Sequence, residues 1–303
     1  MDSFEAEPVH HPFPAGDPGS RPAKPNLPPP LGPGVDGSFN ARLAASAKRA
    51  GSWLCVGLDP DPEHYPDGMA AEDTLEVCLG IVEATAHVAA AVKPNAAFFE
   101  ALGTIGHEAL YGLVEALPPG LPVILDGKRN DIGNTARKYA EAAFEDLGVD
   151  AVTVTPYLGR DTVEPFAAYD DKGVFLLSRT SNASAGDFQD LPVDTKGTKL
   201  YQAVARKAMA WNNEFGNLGL VAGATYPDEL ANLRSICGDG VPLLIPGVGA
   251  QGADAKTTMA KGADANGQFA LVNVGRAILQ AGNGKDWKAK AKTAAETFAK
   301  ELR

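Results

Sequence analysis

The sequence places two carboxylates and one ammonium group close together, at Asp126, Lys128 and Asp131. They follow the apolar run 121–125, which has the composition of a buried β-strand. Because strand side chains alternate between the two faces, Asp126 and Lys128 are expected on one face, and Asp131 falls in the following loop. Such a group is either part of a solvated loop or an electrostatic site, and the neighbouring elements decide between the two.

A second ammonium group, that of Lys93, follows the apolar residues 89–92 and is expected at the end of another buried strand. A buried lysine needs a counterion, and the carboxylates of the adjacent strand are the natural candidates. The sequence therefore predicts a row of alternating charge formed by Lys93, Asp126, Lys128 and Asp131. Such a row polarises a substrate without a metal or organic cofactor, because a fixed ammonium stabilises a developing carbanion and can then deliver a proton.

From residue 53 onward the chain repeats a short apolar strand, a polar or glycine-rich turn and an amphipathic helix. Near-continuous apolar strands that alternate with helices are typical of a parallel sheet with a covered outer side. Eight such units predict an α/β fold of the closed (β/α)8 TIM barrel type, with a doubly wound open sheet as the alternative. The predicted strands are 53–59, 89–93, 123–128, 151–155, 173–178, 218–224, 242–248 and 270–275.

The helices and the domain limits follow from the same pattern. Ser38 is the expected N-cap of the helix over 39–49. Tyr139 is expected on the buried face of the helix over 133–147. Residues 1–35 contain ten of the 23 prolines and are expected to form a flexible tail, whereas residues 36–303 are expected to form one barrel domain. Amphipathic helices are predicted over 39–49, 72–87, 133–147 and 287–302, among others.

The composition excludes several classes of protein. The 303 residues are 45% hydrophobic and 21% charged, which is enough for a substantial core. No apolar stretch approaches the roughly 18 residues of a membrane-spanning helix and no signal sequence opens the chain, so a cytoplasmic location is expected. A formal net charge of −11 argues against nonspecific binding to nucleic acid. Cys55, Cys78 and Cys237 lie in apolar contexts and are expected to be buried, reduced thiols.

Active sites of (β/α)8 barrels lie at the carboxyl ends of the strands, and a phosphate is often bound after strands seven and eight. Strand seven leads into the glycine-rich segment 246–252, which includes Gln251, and strand eight ends just before Arg276. Backbone amides, the Gln251 amide and the Arg276 guanidinium together predict a phosphate site. Asp59 ends strand one and is expected either to accept hydrogen bonds from hydroxyl groups such as those of a ribose, or only to cap the turn over 60–62.

Taken in order, these motifs resemble the orotidine 5′-phosphate decarboxylase family, specifically its longer bacterial class. The resemblance extends from about residue 39 to the C-terminal helix and implies a barrel of the ribulose-phosphate-binding type. The Asp-x-Lys-x-x-Asp core is shared with other phosphosugar-binding barrels, whereas the ordered set of motifs is much more specific. The matching segments are 56–60, 93–95, 126–135, 179–182 and 246–251.

The resemblance implies the loss of CO2 from orotidine 5′-phosphate to give uridine 5′-phosphate, the last step of pyrimidine nucleotide synthesis, with no cofactor. It implies that Lys128 stabilises and protonates the carbanion at C6 of the pyrimidine and that Asp126 lies against the departing carboxylate. The substrate contacts that it implies are Lys93 and Asp59 for the ribose hydroxyls, Ser181 for the pyrimidine ring, and Gln251 and Arg276 for the phosphate.

The resemblance also implies a homodimer with shared active sites, because Asp131 and Thr135 of this family enter the site of the neighbouring subunit. The sequence departs from the family pattern after Asn182, where proline is usual, and before Arg276, where two small hydroxyl residues are expected. The segment 183–196 is longer than most of the strand-to-helix loops here and is either a lid over the site or an ordinary surface excursion.

Two other functions remain compatible with the Asp-x-Lys-x-x-Asp core. One is a Mg²⁺-dependent sugar-phosphate decarboxylase or aldolase on the same type of barrel, which its dependence on metal would distinguish. The other is a phosphometabolite-binding protein without catalysis, in which the charged row is only a structural network of salt bridges.

Overall fold

The computed structural model describes residues 37–249 and 252–303, so the predicted tail over 1–35 lies outside the described residues. Within them, eight parallel strands alternate with helices. Each of the eight predicted strands is confirmed, because the apolar runs that marked them are buried. The strands are β1 (Leu54–Leu58), β2 (Ala91–Pro94), β3 (Ile124–Arg129), β4 (Ala151–Val154), β5 (Gly173–Arg179), β6 (Leu218–Ala222), β7 (Leu243–Pro246) and β8 (Ala270–Val274).

The strand order shows a closed barrel. Hydrogen-bonded neighbours follow the order β2-β1-β8-β7-β6-β5-β4-β3. The remaining edges, those of β2 and β3, are joined by parallel bridges between Val92 and Val123 and between Asn95 and Asp126. This closure confirms the (β/α)8 barrel and excludes the open doubly wound sheet. It also sets the carboxyl ends of β1, β2 and β3 side by side, which is where the predicted charges lie.

The first and last predicted helices are confirmed, and two others are interrupted. Ser38 caps the first helix, with its hydroxyl accepting from the Ala41 amide at 3.4 Å. The helix predicted over 72–87 begins as a 3₁₀ turn, and the one predicted over 133–147 ends as a π-helical turn. The α-helices are α1 (Phe39–Ala50), α2 (Thr74–Thr85), α3 (Ala96–Ala101), α4 (Gly103–Ala116), α5 (Gly133–Glu141), α6 (Arg160–Ala167), α7 (Gly186–Gln189), α8 (Leu200–Phe215), α9 (Pro227–Cys237), α10 (Ala255–Gly262), α11 (Arg276–Leu279) and α12 (Trp287–Glu301).

Helix α1 covers the amino ends of the strands. Phe39 is 1% exposed, and its ring meets that of Phe175 edge to face, with centroids 5.8 Å apart. Position 173, where β5 begins, must be glycine, because a Cβ there would lie 2.3 Å from the Phe39 ring. With this end of the barrel covered, the carboxyl ends of the strands are the end at which a cavity opens.

Tyr139 does not lie on the buried face of α5, so that part of the helix prediction is wrong. Its side chain is 37% exposed, and the Arg129 guanidinium carbon lies 5.4 Å from the centre of its ring. The ring face is therefore covered by a cation from the end of β3 instead of by the core. Ala136 and Ala140, predicted on the same face, are buried.

The three cysteines are free thiols, of which Cys55 and Cys78 are buried and Cys237 is half-buried. Burial raises the pKa of each thiol to about 12, so the thiols stay protonated at neutral pH. Among the helices of the described residues, none has both the length and the apolar character needed to cross a membrane.

Candidate active site

Strand β3 brings Asp126 and Lys128 together through an irregular end. Lys128 has a φ of 46°, which a non-glycine residue adopts only when its surroundings hold it there. The pairing with β4 shifts register between Leu125 and Arg129, as at a β-bulge, and the Lys128 amide donates to Thr153 Oγ1 at 2.9 Å. The predicted meeting of the two side chains is confirmed, but it arises from this bulge instead of from regular alternation.

The Asp126 carboxylate accepts three hydrogen bonds. Lys93 Nζ lies 2.8 Å from Oδ2, while Lys128 Nζ lies 2.6 Å and Thr153 Oγ1 2.9 Å from Oδ1. Burial by itself would raise the pKa of Asp126, but the charges of the two lysines outweigh it and hold the pKa well below its usual range. The carboxylate is therefore ionised at neutral pH. Together, Lys93, Asp126 and Lys128 carry a net charge of one positive unit.

Lys93 is the buried member of this group, with 3% of its surface exposed. It lies in register with Gly57 of β1, and its ammonium group points into the barrel toward Asp126. Burial opposes its charge, but the carboxylates of Asp126 and Asp59 outweigh this and raise the pKa of Lys93. Lys128 differs in that 46% of its side chain is exposed, so its ammonium group is the one that bound molecules can reach.

Asp59 follows β1 directly and lies in a different environment. Its Oδ1 is buried and has no hydrogen-bond partner among residues 37–249 and 252–303. Burial raises the pKa of Asp59 despite the positive charges of Lys93, Lys128 and Arg276. Capping of the next turn falls to another residue, since Asp61 accepts from the Glu63 amide at 3.2 Å. The alternative that Asp59 only caps this turn is therefore not supported.

A cavity of about 400 Å³ opens above these charges. It brings Lys93, Asp126 and Lys128 together with Ser181. Ser181 approaches the end of β6 closely because residue 223 is glycine, where a Cβ would lie 2.8 Å from the Ser181 nitrogen. The complete lining is Lys93, Asp126, Lys128, Thr153, Leu177, Thr180, Ser181, Asn182, Gln189, Val221, Leu244 and Pro246.

Arg276 is the first residue of α11, directly after β8, and its side chain is exposed. The glycine-rich turn after β7 packs beside the same helix, because a Cβ at Gly249 would lie 3.1 Å from Ala277. Gly247 and Gly249 have φ values of 115° and 80°, which favour glycine. Gln251 lies outside the described residues. The turn and the helix that begins with Arg276 are thus neighbours, and the role of the turn and of the Arg276 guanidinium in binding phosphate stays a prediction.

Asp131 and Thr135 do not line the cavity. Asp131 lies between β3 and α5, where its Oδ1 accepts a hydrogen bond from the Ile132 amide at 2.7 Å. Thr135 lies in the first turn of α5 and is exposed. Within one chain, the fold therefore brings three of the four members of the predicted charged row together and leaves Asp131 apart from them.

Thr153 and Gln189 also line the cavity, although neither is predicted from the sequence. Thr153 is the third partner of Asp126 and lies one residue before the end of β4, so a search for polar residues near the strand ends would have found it. Gln189 belongs to the segment 183–196, which folds into a 3₁₀ turn and α7 and then pairs Pro192 with Lys199. No local pattern indicates that its side chain reaches the cavity.

Comparison with known proteins agrees with this geometry. A family model described as "Orotidine 5'-phosphate decarboxylase / HUMPS family" matches residues 52–291. The chain belongs to the orotidine 5′-phosphate decarboxylase family.

Two bacterial relatives and one solved structure match the chain over nearly their whole length. Orotidine 5′-phosphate decarboxylase of Azoarcus sp. (strain BH72) is 48% identical over 260 residues, which cover 85% of this chain and 95% of that protein. The enzyme of the same name from Dechloromonas aromatica (strain RCB) is 48% identical over 261 residues, 85% and 96% of the two chains. The solved structure of Leishmania donovani OMP decarboxylase superposes with a TM-score of 0.76 at 41% identity and covers 88% of this chain and 99% of that one.

Proposed function

We propose that this chain converts orotidine 5′-phosphate to uridine 5′-phosphate and CO2, the last step of pyrimidine nucleotide synthesis. The observation that carries the proposal is the Asp126 carboxylate held between the ammonium groups of Lys93 and Lys128 in the cavity at the strand ends. The two bacterial relatives that are 48% identical to the chain bear the name of this enzyme, which supports the assignment.

The reaction breaks the bond between C6 of the pyrimidine and its carboxylate carbon. CO2 leaves, the electron pair stays on C6, and Lys128 stabilises this carbanion and donates a proton to it. Two unit charges 4 Å apart interact by about 4 kcal/mol at an effective dielectric constant near 20, so a fixed ammonium contributes on the scale that catalysis needs. Asp126 lies against the departing carboxylate and holds Lys128 in position through their 2.6 Å contact. This chemistry takes place on side chains, with no metal or organic cofactor.

The remaining residues bind the substrate away from the reacting carbon. Asp59 and Lys93 bind the ribose hydroxyls, which agrees with the buried, unpartnered Oδ1 of Asp59. Ser181 contacts the pyrimidine ring from the loop after β5, and Gln251 and Arg276 bind the phosphate. Binding energy from the phosphate holds the pyrimidine against the ammonium group of Lys128, so it contributes to turnover as well as to affinity.

We propose that the enzyme works as a cytoplasmic homodimer in which Asp131 and Thr135 complete the site of the neighbouring subunit. The position of Asp131 beyond β3 and outside its own cavity supports this. So do exposed apolar side chains on the loops after β3 and β4, where Ile132 is 62% and Tyr157 86% exposed. The free thiols are compatible with a reducing compartment.

Mixing inactive subunits tests the shared site. Asp131→Asn and Lys128→Ala homodimers are each expected to be nearly inactive, whereas a heterodimer of the two contains one site with neither substitution. The mixture is therefore expected to recover activity, up to about a quarter of the wild-type value if subunits exchange at random. Verified heterodimers that stay inactive would show that each site is confined to one chain.

The reaction itself is tested optically. The purified chain is mixed with orotidine 5′-phosphate in excess EDTA, and the pyrimidine absorbance is followed as product forms. We expect complete conversion at a rate that added Mg²⁺ does not change. Activity that requires Mg²⁺, on a sugar phosphate only, would support the sugar-phosphate decarboxylase or aldolase alternative, and nucleotide binding without turnover would support the non-catalytic one.

A further inference from the structure

Besides Ser181, the loop after β5 contributes three neutral polar side chains to the cavity, those of Thr180, Asn182 and Gln189. They are joined in one chain of hydrogen bonds. None of the three belongs to the charged group around Asp126, and none has a role in the proposed reaction as described so far.

The inner end of this chain is fixed by Arg179, the last residue of β5, which is 2% exposed. Its guanidinium pairs with Asp190 at 3.1 Å, donates to Gln189 Oε1 at 3.3 Å and lies 4.0 Å from the centre of the Tyr226 ring. A buried cation beside Oε1 favours the orientation in which the Gln189 oxygen faces inward. The side-chain amide of Gln189 is thereby held in one orientation.

The direction of the hydrogen bonds follows from a group that can only donate. The backbone N–H of Thr180 lies 2.8 Å from Gln189 Oε1, so this atom is the amide oxygen. The Gln189 Nε2 group then donates to Thr180 Oγ1 at 2.8 Å, and the single hydroxyl proton of Thr180 is left for Asn182 Oδ1 at 2.7 Å. The alternative acceptor for this proton, Gln189 Oε1, is farther away at 3.3 Å.

The outer end of the chain is therefore a donor. Because Asn182 Oδ1 is occupied by the Thr180 hydroxyl, the two N–H groups on Nδ2 are what this side chain offers to a bound molecule. Such a group binds a carbonyl oxygen, whereas an amino group in the same position would set donor against donor.

We propose that Asn182 is a further substrate-binding residue, which donates a hydrogen bond to a carbonyl oxygen of the pyrimidine and selects a ring carbonyl against a ring amino group. This inference rests on the proposed function, because it takes the pyrimidine as the ligand of the cavity. Gln189 and Thr180 are positioning residues that act through Asn182 by keeping its amide in the donor orientation.

The test compares uridine 5′-phosphate with cytidine 5′-phosphate, which carries an amino group where the uridine nucleotide carries a carbonyl. Calorimetric dissociation constants give the preference of each variant for the uridine nucleotide. Asn182→Ala is expected to lower this preference about tenfold, and Asn182→Asp, which replaces donors with acceptors, is expected to lower it further. Asn213→Asp, an equal change of charge at an exposed position of α8 outside the cavity lining, is expected to leave it unchanged.

Two substitutions of Thr180 test the chain of hydrogen bonds itself. Thr180→Val keeps the shape of the side chain but removes the hydroxyl, so the Asn182 amide is free to rotate and the preference is expected to fall. Thr180→Ser keeps the hydroxyl and is therefore expected to keep the preference for the uridine nucleotide. If the loop were only structural, the Asn182 and Thr180 variants would weaken both nucleotides alike, and an unchanged preference would overturn the inference.

Decarboxylation by the wild-type chain distinguishes a failure of the proposed function from a failure of the role proposed for Asn182. An active wild-type enzyme whose Asn182→Ala variant keeps the full preference contradicts this inference alone. A wild-type chain that neither decarboxylates orotidine 5′-phosphate nor binds uridine 5′-phosphate contradicts the proposed function and this inference with it.

Discussion

Asp126 and Asp59 lie at the carboxyl ends of nearby strands, but their surroundings differ. Asp126 accepts hydrogen bonds from Lys93, Lys128 and Thr153, and its pKa is held well below the usual range. Asp59 has a buried oxygen without a partner among the described residues, and burial raises its pKa. One carboxylate is fully satisfied by the fold, and the other is not.

In the proposed function, this difference corresponds to a division of the site, with Asp126 in the part that reacts and Asp59 in the part that binds. The ammonium group of Lys128 is fixed by a carboxylate that stays ionised, so its charge needs no reorganisation when a carbanion forms. In the proposed function, the hydroxyl groups of the bound ribose supply the hydrogen-bond donors that Asp59 lacks. On this proposal, the fold holds the reacting centre ready in advance, and the substrate completes the binding contacts.

The largest effect is expected for Lys128→Ala, which removes the reacting ammonium but leaves the binding residues. Loss of both charge stabilisation and proton delivery is expected to lower kcat by about 10⁴-fold or more. The affinity for uridine 5′-phosphate, measured by calorimetry, is expected to change by less than about tenfold. Lys207→Ala, at an exposed position of α8, is the matched control; a Lys128→Ala enzyme as active as this control would remove Lys128 from the reaction.

A smaller effect is expected for Arg276→Ala, on the binding side. Loss of a charge-assisted, two-point contact with the phosphate is expected to lower kcat/KM by about 10³-fold, with a lower kcat as well as a higher KM. The exposed Arg206 of α8, changed to alanine, controls for the loss of a surface cation. A decrease of less than about tenfold would contradict the phosphate site.

The dependence of stability on pH distinguishes the two carboxylates in another way, because they act in opposite directions. Asp126 has a lowered pKa in the folded state, so its stabilisation is complete above the ordinary value of about 3.9 and is lost as the pH falls below it. Asp59 has a raised pKa in the folded state. Its contribution to stability is therefore complete below the ordinary pKa of about 3.9 and is lost as the pH rises through its pKa in the folded state.

Urea unfolding at pH 7 and pH 3 measures both effects. Asp126→Asn is expected to cost about 3–5 kcal/mol at pH 7, because Lys93 loses its charged partner, and clearly less at pH 3. Asp59→Asn is expected to stabilise the chain at pH 7 and to have little effect at pH 3. If both substitutions had the same sign at pH 7, the contrast between the two carboxylates would be wrong.

The barrel and its charged centre could be predicted because both depend on simple periodic patterns. Eight apolar strands imply closure, and closure places polar residues at the strand ends in one cavity, as for Lys93 and Asp126. The roles of Asp131 and Gln251 remain predictions, since the role proposed for Asp131 requires a neighbouring subunit and Gln251 lies outside the described residues.

Other features could not be predicted because distant contacts determine them. The positive φ of Lys128 depends on the Thr153 hydroxyl of the adjacent strand, which no local pattern near Lys128 encodes. Tyr139 lies outside the core, where the Arg129 guanidinium covers its ring. Gln189 enters the cavity because Arg179, buried at the end of β5, holds the loop that carries it.

The most direct measurement is a carbon NMR titration of the aspartate carboxyl groups, with Asp126 and Asp59 assigned from their asparagine variants. The contrast predicts that Asp126 stays ionised at pH values where an ordinary aspartate, with a pKa of about 3.9, takes up its proton. It predicts that Asp59 takes up its proton at a higher pH than an ordinary aspartate. Titration of both groups together near 3.9, or in the reverse order, would contradict the division into a reacting and a binding carboxylate.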